Sequence, residues 1–472
     1  MNRWQLLLYT LLLLVLTGLA WHAPAPPPSL GNDCLNLPEE YFNYANIELP
    51  PHLQTPNLQT LDNTPAGNPI TDAGATLGRV LFYDTKLSAN ETVACASCHK
   101  QALAFTDEAT LSTGFEGGLT GRNSMSLAMA RFFATGHFFW DERAATLEDQ
   151  TLIPIQDPVE MGMSLDELVA RLGNTEYYPP LFEAAFGTSE ITSSRMALAM
   201  AQFIRSMVSF QSKYDLARLA APDVVPVDPL PGLTPQENLG KAIFFGPSAG
   251  NCAACHGTEG FVAFGAFNNG LDLEYTDPGK AGNTFSQLDI GLFKAPSLRN
   301  AALTAPYMHD GRFETLEEVV NHYDTGLAAH PNLSQFLRVG GPNGPPRRLN
   351  LSAEEKAGLI AFLNTLTDTV FITDERWSNP FCTDPVFTID PVKQDGWQVF
   401  PNPAADFINI RIDAPLGQDF HLKLLSTDGR LYYSGSFNGQ TFQLARKDWP
   451  AGLYYLQLSE GGRHWVKEVV WK

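Results

Sequence analysis

The chain has 472 residues, with 51 acidic against 31 basic side chains and a formal charge of −20. That length allows about three domains of ordinary size. The charge keeps the chain in solution and argues against nucleic acid or an anionic membrane as partner.

In chain order, Met1–Ala20 carries Arg3, the apolar run Leu6–Leu16 and the small residues of Gly18-Leu19-Ala20. This reads as a secretory signal peptide over residues 1–20. The run is short for a bilayer, so no permanent membrane span is expected. Residues 21–68 are rich in Pro and Asn and read as an extended lead-in. From Thr71 the pattern turns helical: Leu77, Val80, Leu81 and Tyr83 share a face, and Thr71-Asp72 caps its start. Further helices are expected over Leu165–Leu172, Ser193–Leu219, Thr234–Phe245, Leu316–Tyr323 and Ala353–Leu366. Met196, Met200 and Met207 fall on the apolar face of the second and read as core filler. Ala221–Pro231 reads as a linker. After Pro391 the composition shifts to short alternating strands, Phe407–Ile412, Phe420–Leu425, Leu431–Gly435 and Leu453–Leu458, with turns at Asp428-Gly429 and Glu460-Gly461-Gly462.

Two runs dominate the chemistry: Cys95-Ala-Ser-Cys98-His99 and Cys252-Ala-Ala-Cys255-His256. Two thiols three positions apart can add to the two vinyl groups of one haem, and the next histidine can bind its iron. Chance gives about 0.002 such runs in a chain of this composition. Zinc would need two more ligands per site, and no second cysteine pair is available. The expected cofactors are therefore two covalently bound haem c, held by Cys95, Cys98 and His99 and by Cys252, Cys255 and His256. The other two cysteines, Cys34 and Cys382, flank this region and could pair in an oxidising compartment.

The chain repeats itself. Leu77-Gly78-Arg79-Val80-Leu81-Phe82 precedes the first motif and Leu239-Gly240-Lys241-Ala242-Ile243-Phe244 the second. Asp141-Glu142-Arg143-Ala144-Ala145-Thr146-Leu147-Glu148 matches Asp310-Gly311-Arg312-Phe313-Glu314-Thr315-Leu316-Glu317. The expected fold class is mainly α: two related cytochrome c-like haem domains, 69–225 and 232–380, then a linker over 381–396 and a small all-β sandwich domain over 397–472.

The repeat also exposes an asymmetry. Met308, in Pro306-Tyr307-Met308-His309-Asp310-Gly311, is a candidate second iron ligand, which would close that site for electron transfer. His309 is a rival beside it. Aligning Asp141 with Asp310 sets Phe139 opposite Met308, and phenylalanine cannot bind iron. The first iron then has an open face, where peroxide or oxygen could bind. Cleaving a peroxide bond needs a proton moved between its oxygens. Glu160 and Gln150 are the nearby candidates, although Glu160 reads equally well as a charge preceding the Ser164 helix cap.

Together these runs, with Phe139-Trp140-Asp141-x-Arg143, Pro158-Val159-Glu160-Met161-Gly162 and Ala295-Pro296-Ser297-Leu298-Arg299-Asn300, resemble the bacterial di-haem cytochrome c peroxidase/MauG family over about Asn68 to Leu366. The resemblance implies a peroxidatic haem on His99 and an electron-entry haem on His256 and Met308. It implies Glu160 as acid–base carboxylate, Gln150 as its polar neighbour and Trp140 as a relay between the haems; a packing tryptophan would fit the same place. It also implies one calcium ion, bound by the Asn123 side chain and the backbone carbonyls near Asp289 and Gly291. Hydrogen peroxide and a small donor protein, a cytochrome c or a copper protein, would be the partners. Relatives of the family often pair, which leaves a homodimer open.

One departure concerns the loop Ser112–Gly118. Peroxidases that need reductive activation carry a histidine there, and this chain has Phe115. His137 is the only nearby alternative and reads as a packing or propionate-contacting residue. MauG has this open character but a tyrosine in place of Met308. The expected activity is reduction of hydrogen peroxide to water. The alternatives are a MauG-like oxidase acting on a protein or organic substrate and a non-enzymatic di-haem electron carrier. The C-terminal module, with Phe400-Pro401-Asn402-Pro403, Asp428-Gly429-Arg430, Gly452–Leu456 and Lys467, resembles a type IX secretion sorting domain. That implies export to the periplasm, the cell surface or the medium.

Overall fold

Thr71 opens the first long helix, Asp72–Tyr83, and its side chain accepts a hydrogen bond from the Gly74 amide. Such a cap contributes about 1 kcal/mol by satisfying a donor the helix cannot. The computed structural model describes residues 34–246, 250–262, 264–382, 397–412, 419–426, 431–447, 449–460 and 463–472. The expected signal peptide, residues 21–33 of the lead-in, 383–396 of the linker and the turns at Asp428-Gly429-Arg430 and Gly461-Gly462 lie outside the described residues. The chain divides into two units, Met1–Cys382 and Thr383–Lys472.

In the first unit the repeat is visible as a helix pair built twice. Asp72–Tyr83 crosses Ser193–Ser206, and Pro235–Phe245 crosses Ala353–Asn364. The repeated glycine marks each crossing. A Cβ at Gly78 would sit 2.1 Å from the Ala199 carbonyl oxygen, and one at Gly240 would sit 1.8 Å from that of Gly358. No side chain fits there, so the shared Leu-Gly pair sets how closely the helices approach. Four residues later, Phe82 and Phe244 are both buried.

The backbone repeats too. Phe139 and Met308 both have left-handed φ, +69° and +76°, as do Phe105 and Phe261, +62° and +52°, and Met129 and Asn300, +66° and +63°. The bridge Phe138–Ala144 recurs as Tyr307–Phe313.

The sequence predicts one helix over Ser193–Leu219, but the structure has two, Ser193–Ser206 and Lys213–Ala220. The Asp368 carboxylate explains the break: it accepts hydrogen bonds from Ser209 Oγ and from the Phe210 and Gln211 amides at 3.1, 2.9 and 2.8 Å. Ser212 then caps the second helix reciprocally with Asp215. Met196, Met200 and Met207 are buried in the core. The expected Leu316–Tyr323 helix is Leu316–Asn321 followed by a π-helical turn, His322–Gly326. Two helices the periodicity does not disclose are Leu147–Gln156, with Pro154 inside it, and Tyr178–Phe186, with prolines in its first turn.

The described part of the lead-in is tied down rather than loose. Leu53 and Leu58 are buried beside Met129, Phe132, Val208 and Val262. Cys34 and Cys382 form a disulfide, Cα atoms 5.3 Å apart. Arg299, fully buried, makes a bidentate pair with Asp215 at 2.8 and 2.9 Å, and His52 adds a contact to Asp215 at 2.8 Å.

The second unit has a three-stranded sheet, in the order Trp397–Phe400, Phe407–Ile412, Thr441–Ala445, and a four-stranded one, in the order Leu431–Asn438, Asp419–Ser426, Gly452–Glu460, Arg463–Trp471. Among the described residues these strands all pair antiparallel, and the isolated bridge Ala404–Trp471 is parallel. Ile408, Ile410, Leu422, Leu424, Leu444 and Leu456 form its core, as alternation in a sandwich requires.

Candidate active site

Each Cys-Xaa-Xaa-Cys-His run forms a short helical turn, Cys95–Cys98 and Ala253–His256, on the wall of its own cavity. All four cysteines are unpaired. The two imidazoles are prepared alike. His99 Nδ1 lies 2.8 Å from the Phe105 carbonyl and His256 Nδ1 lies 3.3 Å from that of Phe261. Bonding Nδ1–H to a carbonyl leaves the Nε2 lone pair free for a metal. Burial holds both rings below their ordinary pKa, His256 down to about 4, so both are neutral ligands at pH 7. Thiols, imidazoles and cavities together fit two covalently bound haems.

The first cavity, about 630 Å³, is lined by Cys98, His99, Phe139, Trp140, Gln150 and Glu160 among others. The three catalytic candidates read from the sequence thus share one wall with the first haem motif. Thr146 caps the Leu147–Gln156 helix, which carries Gln150. The Gln150 side chain has no hydrogen-bond partner among the described residues. Pro154, also on the wall, lacks the N–H that would bond the Gln150 carbonyl four residues back. Glu160 follows in a turn closed on the Asp157 carboxylate, which accepts from the Val159 and Glu160 amides at 2.8 and 3.2 Å. Burial pushes the Glu160 carboxyl above its ordinary pKa, Asp157 adds repulsion, and Arg143 pulls it back. Arg143 lies 3.6 Å from the centre of the Phe139 ring.

Phe115, in the loop Ser112–Gly118, does not line this cavity. Its ring packs on Gly162, and its amide donates to the Glu160 carbonyl at 3.1 Å. His137 is exposed and off the cavity wall.

The second cavity, about 220 Å³, is lined by Cys252, Cys255, His256, Asn269, Met308 and His309 among others. The Met308 sulfur accepts a hydrogen bond from Asn269 Nδ2 at 3.4 Å. The rival His309 is stacked on Phe293, ring centres 3.7 Å apart.

Trp140 lines both cavities. Its indole N–H donates to the Asn123 carbonyl at 2.8 Å, its own carbonyl accepts from the Lys294 amide at 2.7 Å, and its ring meets His309 edge-on at 6.5 Å. Lys294 lines both cavities as well. It is 4 % exposed, with Nζ 3.4 Å from the Phe133 ring centre, and burial lowers its pKa to about 7. A buried amine on both walls, cationic once an anion faces it, suits the carboxylates a haem brings. Sequence reasoning missed Lys294, Pro154 and Asn269, and it placed Arg143 in a family run without giving it a role. The Phe293-Lys294 pair, just before the Ala295-Pro296-Ser297 run, is the one local signal that could have flagged Lys294.

At the expected calcium site, Asn123 is buried, and its amide donates to the Ala109 and Thr110 carbonyls, both at 3.2 Å. The Asp289 carbonyl accepts from the Leu292 amide at 3.1 Å, and the Gly291 amide donates to Pro278 at 3.0 Å. No direct hydrogen bond joins Asn123 to either residue. Among the described residues, no group of three or more His, Cys, Asp or Glu gathers as a metal cluster.

Two helical repeats, each opening a Cys-Xaa-Xaa-Cys-His turn onto its own cavity with one tryptophan lining both, define a di-haem c-type cytochrome. The profile of the di-haem cytochrome c peroxidase family matches residues 72–220. The methylamine utilization protein MauG of Methylophilus methylotrophus is 33% identical over 304 residues, covering 64% of this chain and 84% of that protein. The cytochrome c551 peroxidase of Nitrosomonas europaea is 32% identical, over 52% of this chain and 71% of the relative. A solved MauG-like protein associated with microbial copper homeostasis is 36% identical, with a TM-score of 0.59, over 71% of this chain and 99% of that one. The chain belongs to the di-haem cytochrome c peroxidase/MauG family, whose membership implies two c-type haems. The profile of the secretion system C-terminal sorting domain matches residues 398–472, which marks the protein for export. Among the described residues, no helix is long and apolar enough to cross a membrane.

Proposed function

We propose that the protein reduces hydrogen peroxide to water, using electrons from an external donor protein that enter at the second haem and are consumed at the first. The observation that carries this reading is one backbone bearing two side chains: Met308 on the wall of the His256 cavity and Phe139 on the wall of the His99 cavity, at matching left-handed positions. At that matching position one site carries a thioether that could close it and the other carries a phenyl ring, which cannot bind iron.

His99, Cys95 and Cys98 would hold the first haem and His256, Met308, Cys252 and Cys255 the second; bound there, they supply the iron that binds peroxide and the store of electrons. Glu160 takes the proton from one peroxide oxygen and returns it to the other, so that the O–O bond breaks with water as the leaving group. A carboxyl whose pKa is raised by burial is suited to both halves of that transfer. Gln150, with its amide unengaged, orients the peroxide. Each peroxide takes up two electrons and two protons to give two waters. Trp140, lining both cavities, serves as the relay, and Lys294 as counter-charge to haem carboxylates. One calcium ion is assigned to the Asn123 side-chain oxygen and the carbonyls of Asp289 and Gly291, a hard oxygen donor set. Glu160→Gln should retain both haems, by mass and absorption spectrum, and lose about 10²–10⁴-fold in peroxide turnover. Near-native turnover would remove Glu160 from the mechanism.

A MauG-like oxidation of a protein or organic substrate is the second reading, favoured by Phe115, whose packing on Gly162 keeps it out of the first cavity. Stoichiometric consumption of peroxide with a reduced cytochrome, leaving no other substrate modified, separates the two. Electron paramagnetic resonance of the oxidised protein should show one high-spin and one low-spin ferric centre. Two low-spin centres would instead mean an electron carrier.

A further inference from the structure

Asn269 stands beside Met308 with no task in the scheme above. Its neighbour Asn268 is fully engaged in building the loop: its amide donates to Ile290 and its oxygen accepts from Gly270 and Tyr275. Asn269 is used differently. Its Nδ2 lies 3.4 Å from the Met308 sulfur. Its Oδ1 is buried without a partner. Its backbone carbonyl accepts from Nε2 of the buried His322 at 3.0 Å, on the π-helical turn His322–Gly326.

A buried amide oxygen left unsatisfied costs stability, yet turning the amide over would set that oxygen against the sulfur lone pairs. The observed orientation therefore favours the thioether at the amide's expense. We propose that Asn269 is a positioning residue for Met308, and that its N–H···S hydrogen bond raises the reduction potential of the second haem; this rests on the reading of Met308 as that haem's ligand. A thioether sulfur has two lone pairs. The amide occupies one, leaves the other for iron, and draws electron density away from the sulfur. A poorer donor stabilises ferric iron less than ferrous, so the reduced state gains. His322 fixes the backbone from which the amide projects.

The test is a redox titration of the full holoprotein, following each haem separately, beside the weak charge-transfer absorption of a methionine-bound ferric haem. Asn269→Leu keeps the volume and removes the donor. It should retain that absorption and shift the reduction equilibrium of the second haem about tenfold toward ferric, about 59 mV for one electron. The first haem should not move. Should leucine block haem attachment, Asn269→Ala carries the same expectation, and Asn269→Gln should return the potential toward the native value. A native methionine absorption with unmoved potentials in the donor-less variants overturns the role of Asn269 alone. Leu and Ala variants shifting in opposite directions also overturn it, because volume would then be the cause. No methionine absorption in the native protein overturns the ligand reading first, and this proposal with it.

Discussion

At the scale of single residues, Glu160 is where environment decides chemistry. Its folded pKa is raised, so its protonated form is the one the fold favours. The sign follows: the contribution of this group to stability is fully present below the ordinary carboxyl range and is lost as pH rises through the raised folded value. Glu160→Gln cannot ionise. Its thermal melting should match the native protein at low pH and exceed it near neutrality, while its turnover falls. A native protein that stays as stable as the variant through neutral pH would contradict the burial argument. The identity of Glu160 was legible in sequence, but its role was evenly balanced against a pre-helix charge, because burial is not written in the residues beside it. Lys294 and Asn269 were not legible at all. A lysine enclosed by Phe133 and Phe138, or an amide beside a sulfur 39 positions away, becomes visible only once distant segments meet.

At the scale of elements, the repeat explains more than its letters do. The Leu-Gly pairs before each haem motif showed kinship in sequence, and the structure shows what they do. Gly78 and Gly240 are the contact points of two helix crossings, with carbonyl oxygens where a methyl would have to go. Gly78→Ala should therefore cost about 1–3 kcal/mol through forced separation of the helices, read as a lowered denaturation midpoint, although alanine is the better helix former. An unchanged or raised midpoint would mean that the crossing yields easily. Elements with strong caps were legible within a residue or two: Thr71, Ser164, Thr234 and Ser352 each cap the helix expected there. The break after Ser206 was not, because its cause, Asp368, lies more than 150 residues away. Leu147–Gln156 was hidden by Pro154, which sequence rules read as a breaker but which sits in the last turn.

At the scale of the whole molecule, the Ala295–Asn300 run turns out to be architectural. Arg299 is paired with Asp215 and Asn300 bonds Ser209, so the run ties the second half to the end of the first, while Asp368 anchors Asn300 within the second half. The guanidinium holds the Asp215 carboxyl well below its ordinary range. The haem unit and the C-terminal unit have separate cores. Truncation after Cys382 should therefore leave a folded protein with both haems, while delivery beyond the outer membrane is lost. Cell fractionation with haem staining checks both; loss of haem on truncation would refute the independence of the cores.

The matching left-handed turns at Phe139 and Met308 carry an evolutionary consequence. After a duplication, both halves inherit the same scaffold, so on the proposed reading a conducting site and a reacting site differ at the level of a codon rather than a fold. Phe139→Met should bring a thioether to the first iron, turn its resting spectrum low-spin and silence peroxide turnover, with the rest of the molecule unaltered. A high-spin first haem in that variant would show that the shared turn is not sufficient. If the variant behaves as expected, division of labour between the two halves rests on a reversible, single-residue decision. Lineages of such proteins could then gain or lose catalysis repeatedly without rebuilding the chain.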